Sequence, residues 1–208
     1  MAASSRRLPP WVPVLVVTGV WACVSDSVVY PGDLVIGLFS FHAQQDVGRS
    51  SCDLDGGDYS RLSDGGFDFA GTFSRDSVDG GAWFTVEGYS RPATYDARTQ
   101  RYVSTQTSPA PVPSCGETCQ GARMEEVLSV VVLSESQDRA LGGACANLPD
   151  GGLPDGSVPA PTANGYDAQR ACGSLSVTFL PGTSEGCKCV TPCTAVYGVE
   201  GERRFNGQ

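Results

Sequence analysis

The sequence predicts an α/β chain that carries a β-rich, disulfide-stapled insert; a mainly β chain with one helix is the alternative. Three stretches argue for this. Residues 33–42 (DLVIGLFSFH) form a nearly continuous apolar run, residues 121–139 repeat apolar positions at a helical period, and residues 67–106 alternate short aromatic and β-branched runs with turn residues.

The apolar run follows Pro31-Gly32, and a run of this kind bounded by turn residues reads as a strand buried on both faces, as in a parallel sheet covered by helices. In residues 67–106, Phe67, Phe69 and Phe73 lead to Trp83 and Phe84, then Tyr89, Tyr95 and Tyr102, with Gly80-Gly81 and Arg91-Pro92 between them. That pattern predicts antiparallel hairpins. The rings are either the core of a small β layer or a face for a carbohydrate or other ligand. In residues 121–139, Met124, Val127, Leu128, Val131 and Val132 recur at i, i+3, i+4, i+7 and i+8, and Gly142-Gly143 stands where a helix would be capped. Residues 174–180 alternate Leu175, Val177 and Phe179 and read as a strand ended by Pro181-Gly182. The tail at 188–199 reads as short β structure held by cysteines.

At the N-terminus, Arg6 and Arg7 precede the apolar residues 11–22, and small residues follow at Ala22, Ser25 and Ser27. The apolar stretch is shorter than the about 20 residues that span a bilayer and matches a secretory signal peptide. Pro9, Pro10 and Pro13 argue against a long buried helix or an anchor. A lipid-modified Cys23 is a further reading, opposed by the bulky Trp21. The chain is therefore expected to be exported, with no membrane span after the signal.

The 208 residues carry a formal net charge of −9 and a single lysine, Lys188, with no basic cluster. Nucleic acid and anionic membranes are poor partners for such a chain. Glycine and proline, 26 and 14, are abundant, so turns and loops are extensive, above all in residues 53–66, 108–113 and 148–165.

The nine cysteines include Cys23; the remaining eight, Cys52, Cys115, Cys119, Cys145, Cys172, Cys187, Cys189 and Cys193, form an even set that fits disulfides in an exported chain. Zinc is the competing reading for Cys115-x3-Cys119 and Cys187-x-Cys189-x3-Cys193, but the spacings are not those of common knuckles, and the only histidine, His42, is remote in sequence. No cofactor and no metal are expected.

Residues 32–42 (GDLVIGLFSFH), Cys115-Gly116 and the Arg123-Met124-Glu125-Glu126-Val127-Leu128 stretch together resemble the opening of the Venus-flytrap ligand-binding domain of family C G-protein-coupled receptors, best known from metabotropic glutamate receptors. The resemblance covers about 35 residues. It implies a periplasmic-binding-protein-like α/β lobe, an amino-acid-like ligand, a receptor-type dimer and a Cys115–Cys145 disulfide. One glycine of the family's Gly-Gly pair is missing, the insert between strand and helix is long, and the family's ligand-binding turns and seven-helix region do not follow. At most the front of one lobe is implied, as in a truncated receptor. The division is then a signal peptide at 1–25, the opening strand of the lobe at 28–48, a β-rich insert and linker at 49–113, the lobe's helix and next strand at 114–147, a Pro/Gly linker at 148–165 and a Cys-rich β tail at 166–208.

In such sheets ligands bind beyond the C-terminal strand ends, which makes Ser40, His42 and Gln44 the cleft-rim candidates. Catalysis is not expected. Gly182-Thr183-Ser184-Glu185-Gly186 has the spacing of a nucleophile elbow, but Cys187-Lys188-Cys189 and Pro192 follow where a helix is needed. The Asp-Gly pairs do not continue into a calcium loop and read as turns. The expected function is an extracellular, receptor-type ligand-binding domain; the alternative is a secreted, disulfide-rich β structural or adhesion protein.

Overall fold

Strand alternates with turn through most of the described residues. The computed structural model describes residues 30–52, 66–76, 81–96, 98–110, 121–148, 161–162, 165–182 and 192–204. The strands are β1 (Leu34–Gln45), β2 (Phe67–Arg75), β3 (Ala82–Val86), β4 (Tyr89–Asp96), β5 (Arg101–Pro109), β6 (Arg123–Ser134), β7 (Pro161–Thr162), β8 (Gly165–Tyr166), β9 (Ala168–Leu180) and β10 (Cys193–Arg203). Between β6 and β7 lie a short helix, α1 (Glu135–Ala140), and a single 3-10 turn at Cys145–Asn147. Strands β1 to β6, β9 and β10 pair in chain order, and β10 returns to β1, which closes an eight-stranded antiparallel barrel; β7 and β8 form a separate two-stranded hairpin.

Period-two alternation drives closure. On β1, Phe39, Phe41 and Ala43 are at most 1 % exposed, whereas His42 and Gln44 face solvent. Phe73, Phe84, Tyr102, Val130, Val132, Val177, Phe179, Tyr197 and Val199 join them in the main core. Successive side chains of a strand point to opposite faces, so a wall with one apolar face curls to enclose it. Full burial of each such side chain contributes about 1.5–3 kcal/mol. The β3–β4 turn is two residues long: Val86 pairs with Tyr89, and Glu87 and Gly88 both have positive φ, 50° and 82°. This is the backbone that two-residue hairpins favour, because its twist matches that of the strands.

Large and small residues interlock inside. A Cβ on Gly71 would stand 2.4 Å from Cζ of Phe84, so the missing side chain gives the ring its room. Around that ring, Phe73 and Phe84 have centroids 4.6 Å apart, and Phe73 and Tyr102 5.4 Å.

The α/β expectation is overturned: the regular structure of the described residues is nearly all β, as the mainly β alternative held, and the lobe implied by the receptor resemblance is not this fold. The run at 33–42 is not a strand of a helix-covered parallel sheet. It is β1, antiparallel to both β2 and β10, with one face inward and one outward. The helix expected over 121–139 is strand β6 followed by α1, six residues long. Met124, Leu128, Val130 and Val132 face the barrel interior, while Val131 and Leu133 are buried on its outside with Cys172 beneath Leu141, Cys145 and Leu148. Burial on both faces erases the period-two pattern that would have marked the strand. β-branched Val130, Val131 and Val132 favour the strand. Ser134 is the switch point: its hydroxyl accepts from the Gln137 backbone N–H and its own N–H donates to the Gln137 side chain, a capping box that starts α1.

The hairpins expected over 67–106 are β2 to β5, and the strand expected at 174–180 is the second half of β9. Barrel strands come from each of the segments 28–48, 49–113, 114–147 and 166–208. The signal peptide at 1–25, Cys115, Cys119, Cys187, Cys189 and Ser184 lie outside the described residues, as does most of the 148–165 linker.

Two disulfides are present among the described residues. Cys52 and Cys193 tie the segment after β1 to the start of β10, 141 residues apart in sequence. Cys145 pairs with Cys172, with Cα atoms 5.3 Å apart, which overturns the Cys115–Cys145 pairing implied by the resemblance. The reason is positional: Cys172 faces outward opposite Val131, and the turn after α1 lays Cys145 on that outer surface. Arg170 fastens the same region, its Nε donating to Asp138 Oδ1 at 2.7 Å.

Candidate functional site: the barrel lumen

The two ends of the barrel interior differ. Where β1 begins, Ile36, Phe39, Phe73, Ala82 and Tyr102 fill the space. Toward the other end lies a cavity of about 230 Å³. Phe67 and Phe69 from β2 and Phe84 and Val86 from β3 form one side of it, and Leu128, Leu175 and Val177 from β6 and β9 form the other. The aromatic side is organised by contact: Phe41 stacks on Phe69 at 4.8 Å, and Phe67 meets Tyr197 edge to face at 5.2 Å.

Arg91 and Glu126 complete the lining. Arg91 stands on β4 and Glu126 on β6, and Arg91 Nη1 donates to Glu126 Oε2 at 2.8 Å across the intervening β5. Their side chains are 27 % and 25 % exposed, so solvent reaches the pair while most of each side chain is shielded. Gln106 on β5 pairs in register with Glu126 and lies one pleat beyond the Ala93–Ser104 pair that joins β4 to β5. Arg91 and Glu126 are thus the polar part of the cavity's lining, and Gln106 lies between them on β5, outside that lining. Arg91 Nε, Gln106 Oε1 and the Tyr197 hydroxyl are buried without a hydrogen-bond partner among the described residues. Burial raises the Tyr197 phenol above its ordinary pKa and keeps it protonated. Few convergent polar groups in an apolar concavity are the usual make-up of a small-molecule site.

Ser40, His42 and Gln44, the sequence-derived rim candidates, are brought together on the outer face of β1, alternating with the lumen-facing Phe39, Phe41 and Ala43. His42 Nδ1 lies 2.7 Å from Asp68 Oδ1 on β2, and both side chains are well exposed. This hydrogen bond raises the imidazole pKa above its ordinary value. His42 and Ser40 border a shallow outer groove with Asp68, Glu200 and Glu202. No group of histidine, cysteine, aspartate and glutamate among the described residues is arranged to hold a metal ion.

The sequence reading singled out the aromatic run at 67–106, and Phe67, Phe69 and Phe84 do line the lumen. It missed Arg91 and Glu126 as site residues. The available signal was alternation: Met124, Glu126, Leu128, Val130 and Val132 share one face of a strand, which puts a carboxylate among apolar neighbours.

No family model, curated protein or solved structure matches the chain.

Proposed function

We propose that this chain is a non-catalytic binding protein whose barrel lumen takes a small, mainly apolar molecule. The observation that carries the reading is the cavity of about 230 Å³ bounded by Phe67, Phe69, Leu128 and Leu175 and provided with the Arg91–Glu126 pair. Its volume lies between the roughly 150 Å³ of a dry protein cavity that holds benzene and the about 300–1,000 Å³ of drug-sized sites. Eight-stranded barrels are the size at which the interior either fills with side chains or retains room for one small ligand. Action outside the cell is supported by the signal-like N-terminus and by the Cys52–Cys193 and Cys145–Cys172 bridges. Among the described residues no helix is long and apolar enough to cross a membrane.

The test is titration with 1-aminoanthracene, an uncharged dye that brightens in apolar surroundings. Micromolar binding is expected, together with loss of at least tenfold in affinity when Leu128→Trp fills the cavity. Equal binding by the Leu128→Trp variant, once circular dichroism shows it folded, overturns the assignment to the lumen.

A second reading, a secreted β structural or adhesion protein, is favoured by the closed all-β wall and the two bridges. A folded barrel that binds no apolar probe supports it.

A further inference from the structure

Charge balance inside the lumen narrows the kind of molecule it receives. Arg91 brings one positive charge and Glu126 one negative, and they are bonded to each other at 2.8 Å. The pair therefore offers no net charge to offset the loss of hydration of a buried ion. A ligand carboxylate near Arg91 would also stand near the Glu126 carboxylate, and a ligand ammonium near Glu126 would stand near the guanidinium.

Hydrogen-bonding capacity remains after the pair has formed. Arg91 spends Nη1 on Glu126 Oε2, leaving Nε, a buried donor with no partner among the described residues. Glu126 retains Oε1, and beside it in register Gln106 presents a buried Oε1 that is likewise unpartnered. In the lining of the cavity itself a donor side chain and an acceptor side chain stand together. Buried polar groups of this kind are normally satisfied, and each one left over calls for a partner.

We propose that the lumen selects an uncharged amide head group on an apolar body. Its carbonyl oxygen accepts from the Arg91 guanidinium, and its N–H groups donate to the carboxylate of Glu126; these are the two polar side chains that line the cavity. The apolar remainder lies against Phe67, Phe69, Leu128 and Leu175. This rests on the lumen being a binding site and adds the chemistry of the head.

Four probes with one tail test it: octanamide, 1-octanol, octanoate and octylammonium, each displacing 1-aminoanthracene at neutral pH. Octanamide is expected to displace the dye at a concentration at least tenfold below either ion, with octanol between. In the double substitution Arg91→Met with Glu126→Met, which removes both charges together, the preference for octanamide over octanol should fall below twofold. If octanoate or octylammonium displaces best from the wild-type protein, the lumen is an ion site and the proposal is wrong. If all four displace equally, the head-group proposal fails and the binding lumen stands. If the dye itself does not bind, both fall. The wild-type ranking decides the matter even if the double variant does not fold.

Discussion

A Cβ placed on Gly201 would stand 2.5 Å from Cε1 of Phe41, on the neighbouring strand. The two residues are register partners where β10 meets β1, so the ring of the first strand occupies the side-chain space of the last. Gly201→Ala is expected to destabilise the fold by about 1–3 kcal/mol, the usual cost of overpacking a filled core. Gly198→Ala on the same strand is the control: its nearest contact would be Gln44 O at 3.9 Å, and it should change stability by less than about 0.5 kcal/mol. Urea denaturation of the two variants measures the difference, and equal midpoints would contradict the packing described.

Phe73 contacts Phe39, Phe84 and Tyr102 with ring centroids between 4.6 and 6.4 Å and is fully buried. Phe73→Ala should cost about 3–5 kcal/mol, read from the same denaturation experiment. Tyr89→Ala, at 77 % exposure, should be close to neutral.

The two bridges hold different parts. Cys52–Cys193 closes the longer stretch of chain, and its replacement by a serine pair should cost about 2–5 kcal/mol. Cys145–Cys172 pins the turn after α1 onto β9. Its replacement should raise hydrogen exchange first in residues 135–148, leaving the β2–β5 amides protected. Exchange that rises uniformly through the barrel would show the bridge to be part of the global unfolding unit instead.

His42 is the chain's single histidine, so its ring titration is observable by NMR without assignment. The hydrogen bond to Asp68 raises its pKa in the folded state. A raised folded-state pKa contributes stability below the unfolded-state pKa, and that contribution disappears as pH rises through the folded value. Asp68→Asn should therefore move the titration toward lower pH and flatten the pH dependence of stability around neutrality. Because the pair is exposed, added salt should reduce the coulombic part of the shift. An unchanged titration in Asp68→Asn would rule out the contact.

The sequence announced its strands wherever one face was left to solvent. In β2 and the latter half of β9, inward aromatic and aliphatic residues alternate with mostly polar ones, and period two is then visible. It concealed β6 because the outer layer of Leu141, Cys145 and Leu148 makes Val131 and Leu133 as buried as Val130 and Val132. A run buried on both faces matches a helix and a strand equally well. The site was half legible for a related reason. Phe67, Phe69 and Phe84 stand out by residue type, but Ser40, His42 and Gln44 were placed by analogy with an open sheet, and in a barrel wall the same positions point outward. The juxtaposition of Arg91 with Glu126 spans 35 residues of sequence and follows only from the order of the strands.

The pairing of β1 with β10 also sets a schedule for synthesis. Phe39 to Gln45 match Arg203 to Tyr197, so the first strand to leave the ribosome must wait for the last before its second row of backbone groups is paired. Until then β1 is an unprotected edge, open to any other strand it meets. The sheet can grow from hairpin to hairpin, but its seam closes only after Arg203 is free to move. Truncation within 193–203 should therefore yield an aggregating ribbon in place of a slightly shorter barrel.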